Sequence, residues 1–389
     1  MTFASVDIEV IFMTKLIKGV FMENKKRIGI IRKKEKTPED TRKFAEVQVN
    51  DIVLDRPIVI CFGGSGATIP GAAYGFGTQI ERRLGIHETP FEEMPCAVYS
   101  VYYPTSLDGE KSYNGKSADV DFFESLNDEE IMDLGKYTKE EQDNILCVMD
   151  FATDLVDNVL TQLVVDENGE KISVEQAMRN ARNVNFVNYC YGSNVQLAVN
   201  TFFHKKLVAL GYTKEEAAQI ESQMCVFQVG PYVEESKTNQ TTVNFISLND
   251  NALNDKPMQK TLKNKKGKEI VGDVTSTEGN ETIVYVNGLT KDEFGEEHYA
   301  MYYFRTVEDG LNKDDIVGDV LAASLTVCLK KSIINAYTNG KNGKKFKPIT
   351  PESFKEPCAK IMKMANNEKS SQKIAKKFTP KKPFLVKNK

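Results

Sequence analysis

The stretch from Asn183 to Val195 constrains this chain more than any other. Its first half, Asn183-Val184-Asn185-Phe186-Val187-Asn188-Tyr189, has the apolar content of a strand buried on both faces. From residue 192 onward, Val195, Ala198, Val199 and Phe202 recur at helical spacing. Only Cys190 and Tyr191 stand between the two patterns, so a strand must turn sharply into a helix. A sharp turn needs small neighbours. Asn188 lies two residues before Cys190 and Gly192 two after. A second apolar run of strand length, Pro57-Ile58-Val59-Ile60-Cys61-Phe62, ends in Gly63-Gly64-Ser65-Gly66-Ala67. Buried strands alternating with helices predict an α/β fold, a mostly parallel central sheet with helices on both faces.

The remaining pattern supplies the other layers. Further strands are expected at 27–32, 44–49, 97–104, 225–231, 241–247 and 281–288. The clearest helix covers 139–165, where Ile145, Met149, Ala152, Val156, Val159 and Leu163 keep a 3.6-residue period. Shorter helices are expected at 78–84, 174–182 and 213–224, and a last one at 313–337 carries Val317, Val320, Leu321, Leu325 and Cys328 as a core stripe. Residues 105–138 read as a polar insertion over the strand ends, and 256–268 as an exposed lysine-rich loop. The domain organisation expected is an extension at 1–26, one α/β domain at 27–340 and a tail at 341–389.

Chemistry converges on the carboxyl ends of these strands, where ligands bind in such sheets. The segment Tyr189-Cys190-Tyr191-Gly192 resembles the nucleophile elbow of the α/β-hydrolase superfamily with cysteine in place of serine, similar to that of dienelactone-hydrolase-like enzymes. Asn188 and Ser193 depart from the glycines usual there. The resemblance implies a Cys190 nucleophile, an acid after the second strand beyond the elbow, and a histidine after the next. Asp250, in Ser247-Leu248-Asn249-Asp250-Asn251-Ala252-Leu253, matches the acid's pattern, and His298 falls in the base's place. The other histidines do not. His87 precedes the strand at 97–104, and His204 lies some three turns into the helix after Cys190, roughly 15 Å away. The resemblance also gives Gly63, Gly64, Ser65 and Tyr191 to substrate and oxyanion binding, with the donors expected from Tyr191 and from Gly64 or Ser65. The function implied is acyl hydrolysis of an ester, thioester or lactone through a thioester acyl-enzyme. The alternatives are acyl transfer at the same site, or an inactive hydrolase fold serving as a binding or effector module. Polyester synthases use a similar elbow cysteine, but with a much longer interval to the acid than the 60 residues here, and they contain tryptophan, which this chain lacks.

Two rival readings of the glycine loop are weaker. Gly63-Gly64-Ser65-Gly66-Ala67 places Ser65 in a Gly-x-Ser-x-Ala frame, but Pro70, Gly71, Gly75 and Gly77 argue against a helix beginning at once. A dinucleotide loop would need a third glycine where Ile69 stands.

Composition narrows the surroundings. Seven cysteines with no Cys-x-x-Cys spacing argue against a zinc site or a disulfide framework and for a reducing, cytoplasmic compartment. No cofactor or metal is expected. The N-terminal apolar residues are interrupted by lysines, as a signal peptide is not, and no stretch reads as transmembrane. From Lys341 to Lys389 there are 15 lysines and 3 glutamates, against a net −4 for the whole chain. This basic tail is expected to be largely solvated apart from a short helix at 357–364, with an acidic partner or anionic surface as its possible contact. It lacks the interleaved aromatics of nucleic-acid binding. The other expected partner is a small-molecule or lipid-like acyl substrate.

Overall fold

The computed structural model describes residues 27–34, 43–103, 121–123, 134–231, 238–248, 250, 262–276, 280–287, 316–339, 345–367 and 373–378. The segment 1–26, most of 105–138 and His298 lie outside these residues. The described strands form one sheet: β1 (Gly29–Lys33), β2 (Phe44–Val47), β3 (Ile58–Phe62), β4 (Ala97–Tyr102), β5 (Val184–Cys190), β6 (Cys225–Pro231), β7 (Thr241–Ser247), β8 (Gly272–Ser276) and β9 (Glu281–Val286). Their order is β2-β1-β4-β3-β5-β6-β7-β9-β8. Every pairing from β4 to β9 is parallel; β1 runs against both its neighbours and β8 against β9. The α/β class expected from the pattern is therefore present.

The centre of the sheet is buried because it is covered on both faces. All five residues of β3 are buried, as are all seven of β6 and β7. One face carries α1 (Pro70–Leu84), α6 (Ile316–Asn339) and α7 (Glu352–Ala365). The other carries α2 (Lys139–Leu155) and α4 (Gly192–Ala209). Alternation assigns the faces: Phe227 of β6 meets Phe354 of α7, centroids 5.5 Å apart, while Phe62 of β3 meets Phe151 of α2 at 6.1 Å. Two short helices, α3 (Val174–Ala181) and α5 (Lys214–Glu221), lead into β5 and β6. Thr138 and Thr213 close the N-termini of α2 and α5 with reciprocal capping boxes. The long helix expected at 139–165 is present, but it widens into a π turn at Val156–Leu160 and tightens at Thr161–Leu163.

Four expectations change. Helix α1 begins at Pro70 and not near residue 78. Proline at the first helical position surrenders an N–H that has no partner there in any case, and its fixed φ suits the turn. The expected insertion is not wholly polar cover, since Phe122 and Phe123 are buried in the core. Strand β8, inside a region with no strand expected, forms the sheet edge. The segment set apart as a tail holds the helix expected at 357–364, but as the longer α7, whose Phe354, Cys358, Ile361, Met362 and Ala365 are all buried in the fold, and a short α8 (Ile374–Phe378). Asn366 ties α7 to the edge strand: its Oδ1 accepts from Val271 N (2.7 Å) and its Nδ2 donates to Gly272 O (3.0 Å). Lys355, Lys360 and Lys363 stay exposed on the outer side of α7.

Among the described residues one helical segment, Asp319–Asn339, is long and apolar enough to cross a membrane, and 67% of it is buried inside the fold, as suits a core helix.

Candidate active site

The chain leaves β3 through α1 on one face and leaves β5 through α4 on the other. Neighbouring parallel strands whose following helices diverge leave a crevice at their carboxyl ends, the place where open α/β sheets bind ligands. β3 and β5 are such a pair, with Ile58 opposite Val184 and Phe62 opposite Asn188. The crevice is bordered by the loop 63–69 and by Cys190.

Cys190 is the only described non-glycine residue with positive φ, at 51°. An L-residue in the left-handed region carries a steric cost of roughly 1–3 kcal/mol that the surrounding packing must sustain. That packing is visible. Gly192, opening α4, comes so close to β3 that a Cβ there would stand 2.2 Å from Phe62 O and 2.8 Å from Gly63 O. Ser193 Oγ donates to Cys190 O (2.8 Å). The serine that departs from the usual glycine thus clasps the turn. Asn188, the other departure, is fully buried. The thiol-bearing residue is itself 8% exposed.

The glycine loop reaches this turn. A Cβ on Gly64 would lie 3.0 Å from Tyr189 Cε1 and 3.3 Å from Cys190 Cβ, so the Gly64 backbone rests against the elbow. The loop is held by its carbonyls: Gly64 O accepts from Ala67 N (2.9 Å), Gly63 O from Tyr103 Oη (3.2 Å) and Ala67 O from Tyr103 N (2.7 Å). Within the described residues the N–H groups of Gly64 and Ser65 donate no hydrogen bond. Ser65 lacks the strained backbone of Cys190, and the loop 63–69 separates it from α1, so it does not form an elbow of its own. Tyr191 is the residue from which α4 departs, already in helical conformation. Its ring meets Tyr103 edge-on at 5.8 Å.

Asp250 lies just past β7 at the same edge of the sheet, 2% exposed, with its N–H donating to Ser247 O (3.1 Å). One strand, β6, separates β5 from β7. Two strand spacings are roughly 10 Å, a separation that leaves space for another side chain between acid and thiol. His298 lies outside the described residues. The other two histidines are engaged elsewhere. His204 Nδ1 pairs with the buried Glu221 at 3.1 Å, and that hydrogen bond raises the imidazole's pKa. His87 pairs with Glu88 at 3.0 Å. The structure therefore brings Gly64 and Cys190 into contact and puts Asp250 on the same edge.

One feature of the site is not anticipated by the motifs. Asn188, Gln228 and Asn244 stand in register on β5, β6 and β7, each at most 3% exposed. This row of buried amides crosses the sheet two residues before the elbow cysteine. Among the described residues, Asn188 Nδ2 and Oδ1 and Gln228 Oε1 have no hydrogen-bond partner. An amide in the middle of each of three strands is the signal that the sequence offers for it. Among the described residues no three His, Cys, Asp or Glu side chains gather as a metal site would require.

A scan against protein-family models finds no match, and a search of curated proteins finds none.

Proposed function

We propose that this chain is an acyl hydrolase of α/β-hydrolase type with a cysteine nucleophile, acting on an ester, thioester or lactone. The observation that carries the reading is the left-handed backbone of Cys190 at a strand-to-helix turn, beside the glycine loop in the β3–β5 crevice. Strain of this kind at a crevice residue is what a nucleophile elbow consists of. The order of the parts along the chain, with the glycine loop first, then Cys190, then Asp250 and His298, agrees with it.

In this mechanism His298 takes the Cys190 thiol proton and Asp250 orients the imidazole. The thiolate adds to the acyl carbonyl, and the N–H groups of Tyr191 and of Gly64 or Ser65 hold the oxyanion. Collapse expels the alcohol or thiol, which takes the proton from His298 and leaves a thioester on Cys190. Water, deprotonated by His298, then attacks the thioester, releasing the acid and restoring the thiol. A second alcohol or thiol in place of water gives acyl transfer. Plain amides are poor substrates here, because the thiolate leaves the tetrahedral intermediate more readily than an amine does.

Accessibility and activation make opposite demands on an alkylation experiment. Cys147 is partly exposed, whereas the other six cysteines, Cys190 included, are buried. An ordinary thiol with a pKa near 8.5 is only about 3% thiolate at pH 7. With iodoacetamide at pH 7, Cys190 should label at least ten times faster than Cys147, and His298→Ala should abolish that lead. If Cys147 labels first and Cys190 follows with the remaining buried thiols, the hydrolase reading fails. A panel of nitrophenyl esters, with Cys190→Ala as the control, then separates an active enzyme from an inactive fold.

A further inference from the structure

Cys328, in the middle of α6, and Cys358, in α7, place their sulfurs 3.3 Å apart. Both are free thiols, and both are completely buried. The geometry points to this pair as a redox-closable dithiol that fastens α7 to α6 by a disulfide. The inference stands apart from the chemistry proposed for Cys190.

A disulfide needs its sulfurs about 2.05 Å apart, so the pair must close by roughly 1 Å, within reach of small side-chain rotations. The two helices already pack together, with Phe354, Ile361 and Met362 of α7 in the same core as Leu325 and Leu329 of α6. No large backbone movement is required. Burial itself pushes the Cys328 thiol's pKa far up, and the neighbouring Cys358 and Cys225 add to that push. Both sulfurs are shut off from solvent while α7 is docked, so reaction with an outside oxidant depends on its opening.

α7 supplies the opening. α7 is a surface helix over the pair, with Lys355, Glu356, Ala359 and Lys360 exposed on its far side. Pro357, directly before Cys358, lies inside the helix and has no N–H to give to the carbonyl of Ser353. The helical ladder is interrupted beside the reactive residue. A transient lift of this turn exposes Cys358 to solvent, which takes the thiol proton, and to a small disulfide such as oxidised glutathione. The thiolate attacks one glutathione sulfur, the S–S bond breaks, and one reduced glutathione leaves. Re-docking brings Cys328 against the mixed disulfide. Cys328 loses its proton, attacks the Cys358 sulfur and expels the second glutathione. The protein loses two hydrogens and the oxidant becomes two thiols.

The test uses the full chain, folded, in a series of oxidised to reduced glutathione ratios, quenched with N-ethylmaleimide, digested and mapped. A Cys328–Cys358 linked peptide should accumulate as the ratio rises and vanish with dithiothreitol. Cys61, Cys96 and Cys225 should remain alkylatable after unfolding. Closing this 30-residue ring should raise the melting temperature by about 4 °C, an increment that both Cys358→Ala and Cys328→Ala remove. The peptide map of the wild type decides the matter if either variant fails to fold. Absence of the linked peptide in oxidised glutathione alone, with the fold intact, overturns the proposal. So does a map in which both residues carry glutathione unlinked, or in which either one pairs with Cys225.

Discussion

Glu81 shows what burial does to a single charge. It sits on α1, 3% exposed, and its Oε2 has no hydrogen-bond partner among the described residues. Loss of solvation raises its pKa to about 7, against a smaller opposing pull from Lys33. A carboxyl that holds its proton more tightly when folded stabilises the fold least when it must ionise. The protein is therefore expected to lose stability as pH rises from about 4.5 to 7, by roughly 3 kcal/mol from this group alone. Glu81→Gln should be close to neutral at pH 4.5 and more stable than wild type at pH 8 by up to that amount, measured as urea midpoints. Nothing in the sequence distinguishes Glu81 from the many exposed glutamates, because its burial depends on how closely α1 lies on β4. The strain at Cys190 is more legible. A cysteine wedged between a strand pattern and a helix pattern, with glycine two residues on, leaves the backbone few other paths.

At the scale of elements, glycines record where helices and strands nearly touch. Gly192→Ala would drive a methyl into the backbone of Phe62 and Gly63. Backbone in the middle of a parallel sheet cannot retreat, so the change should cost about 3 kcal/mol or more, read from chemical denaturation. Gly75, on the exposed side of α1, has nothing within 4 Å of the place an added methyl would occupy. Gly75→Ala should instead raise stability by about 0.5–1 kcal/mol through helix propensity. The same helix starts earlier than its glycine content suggests. Those glycines weaken propensity locally, but packing against β4 decides, and Gly77 is the point of closest approach, where a Cβ would meet Ser100 Oγ at 2.1 Å. Strand β8 is hidden for another reason: Gly-Asp-Val-Thr-Ser is an edge strand with a mostly solvated pattern, and its pairing with β9 supplies what its composition lacks. In α7 the spacing of Phe354, Cys358, Ile361, Met362 and Ala365 is present in the sequence, but the lysine count around it suggests a solvated tail.

For the whole molecule, the division at residue 340 that charge suggests is not one that packing respects. Phe354, Ile361 and Met362 fill the face over β6 and the β8–β9 edge, each worth about 1.5–3 kcal/mol when buried. Together they approach the entire net stability of a typical domain. A chain ending at residue 340 should therefore show no cooperative melting transition and should bind a hydrophobic dye, whereas the full chain melts cooperatively. The opposition of an acidic body and a basic C-terminal segment is real as charge, and α7 turns part of it into a lysine-bearing surface.

The pairing of β3 with β5 has a consequence in time. Ile58 cannot meet Val184 until more than a hundred further residues have been made, and at about 5–20 residues per second that is a wait of several seconds or more. β7 then ends at Ser247, while the helix that covers Phe227 starts only at Glu352. During synthesis the centre of the sheet is finished well before its last cover arrives. A nascent chain stalled between those points presents a half-clothed apolar face, the kind of surface that recruits chaperones or drives aggregation, and the arrival of α7 ends the exposure.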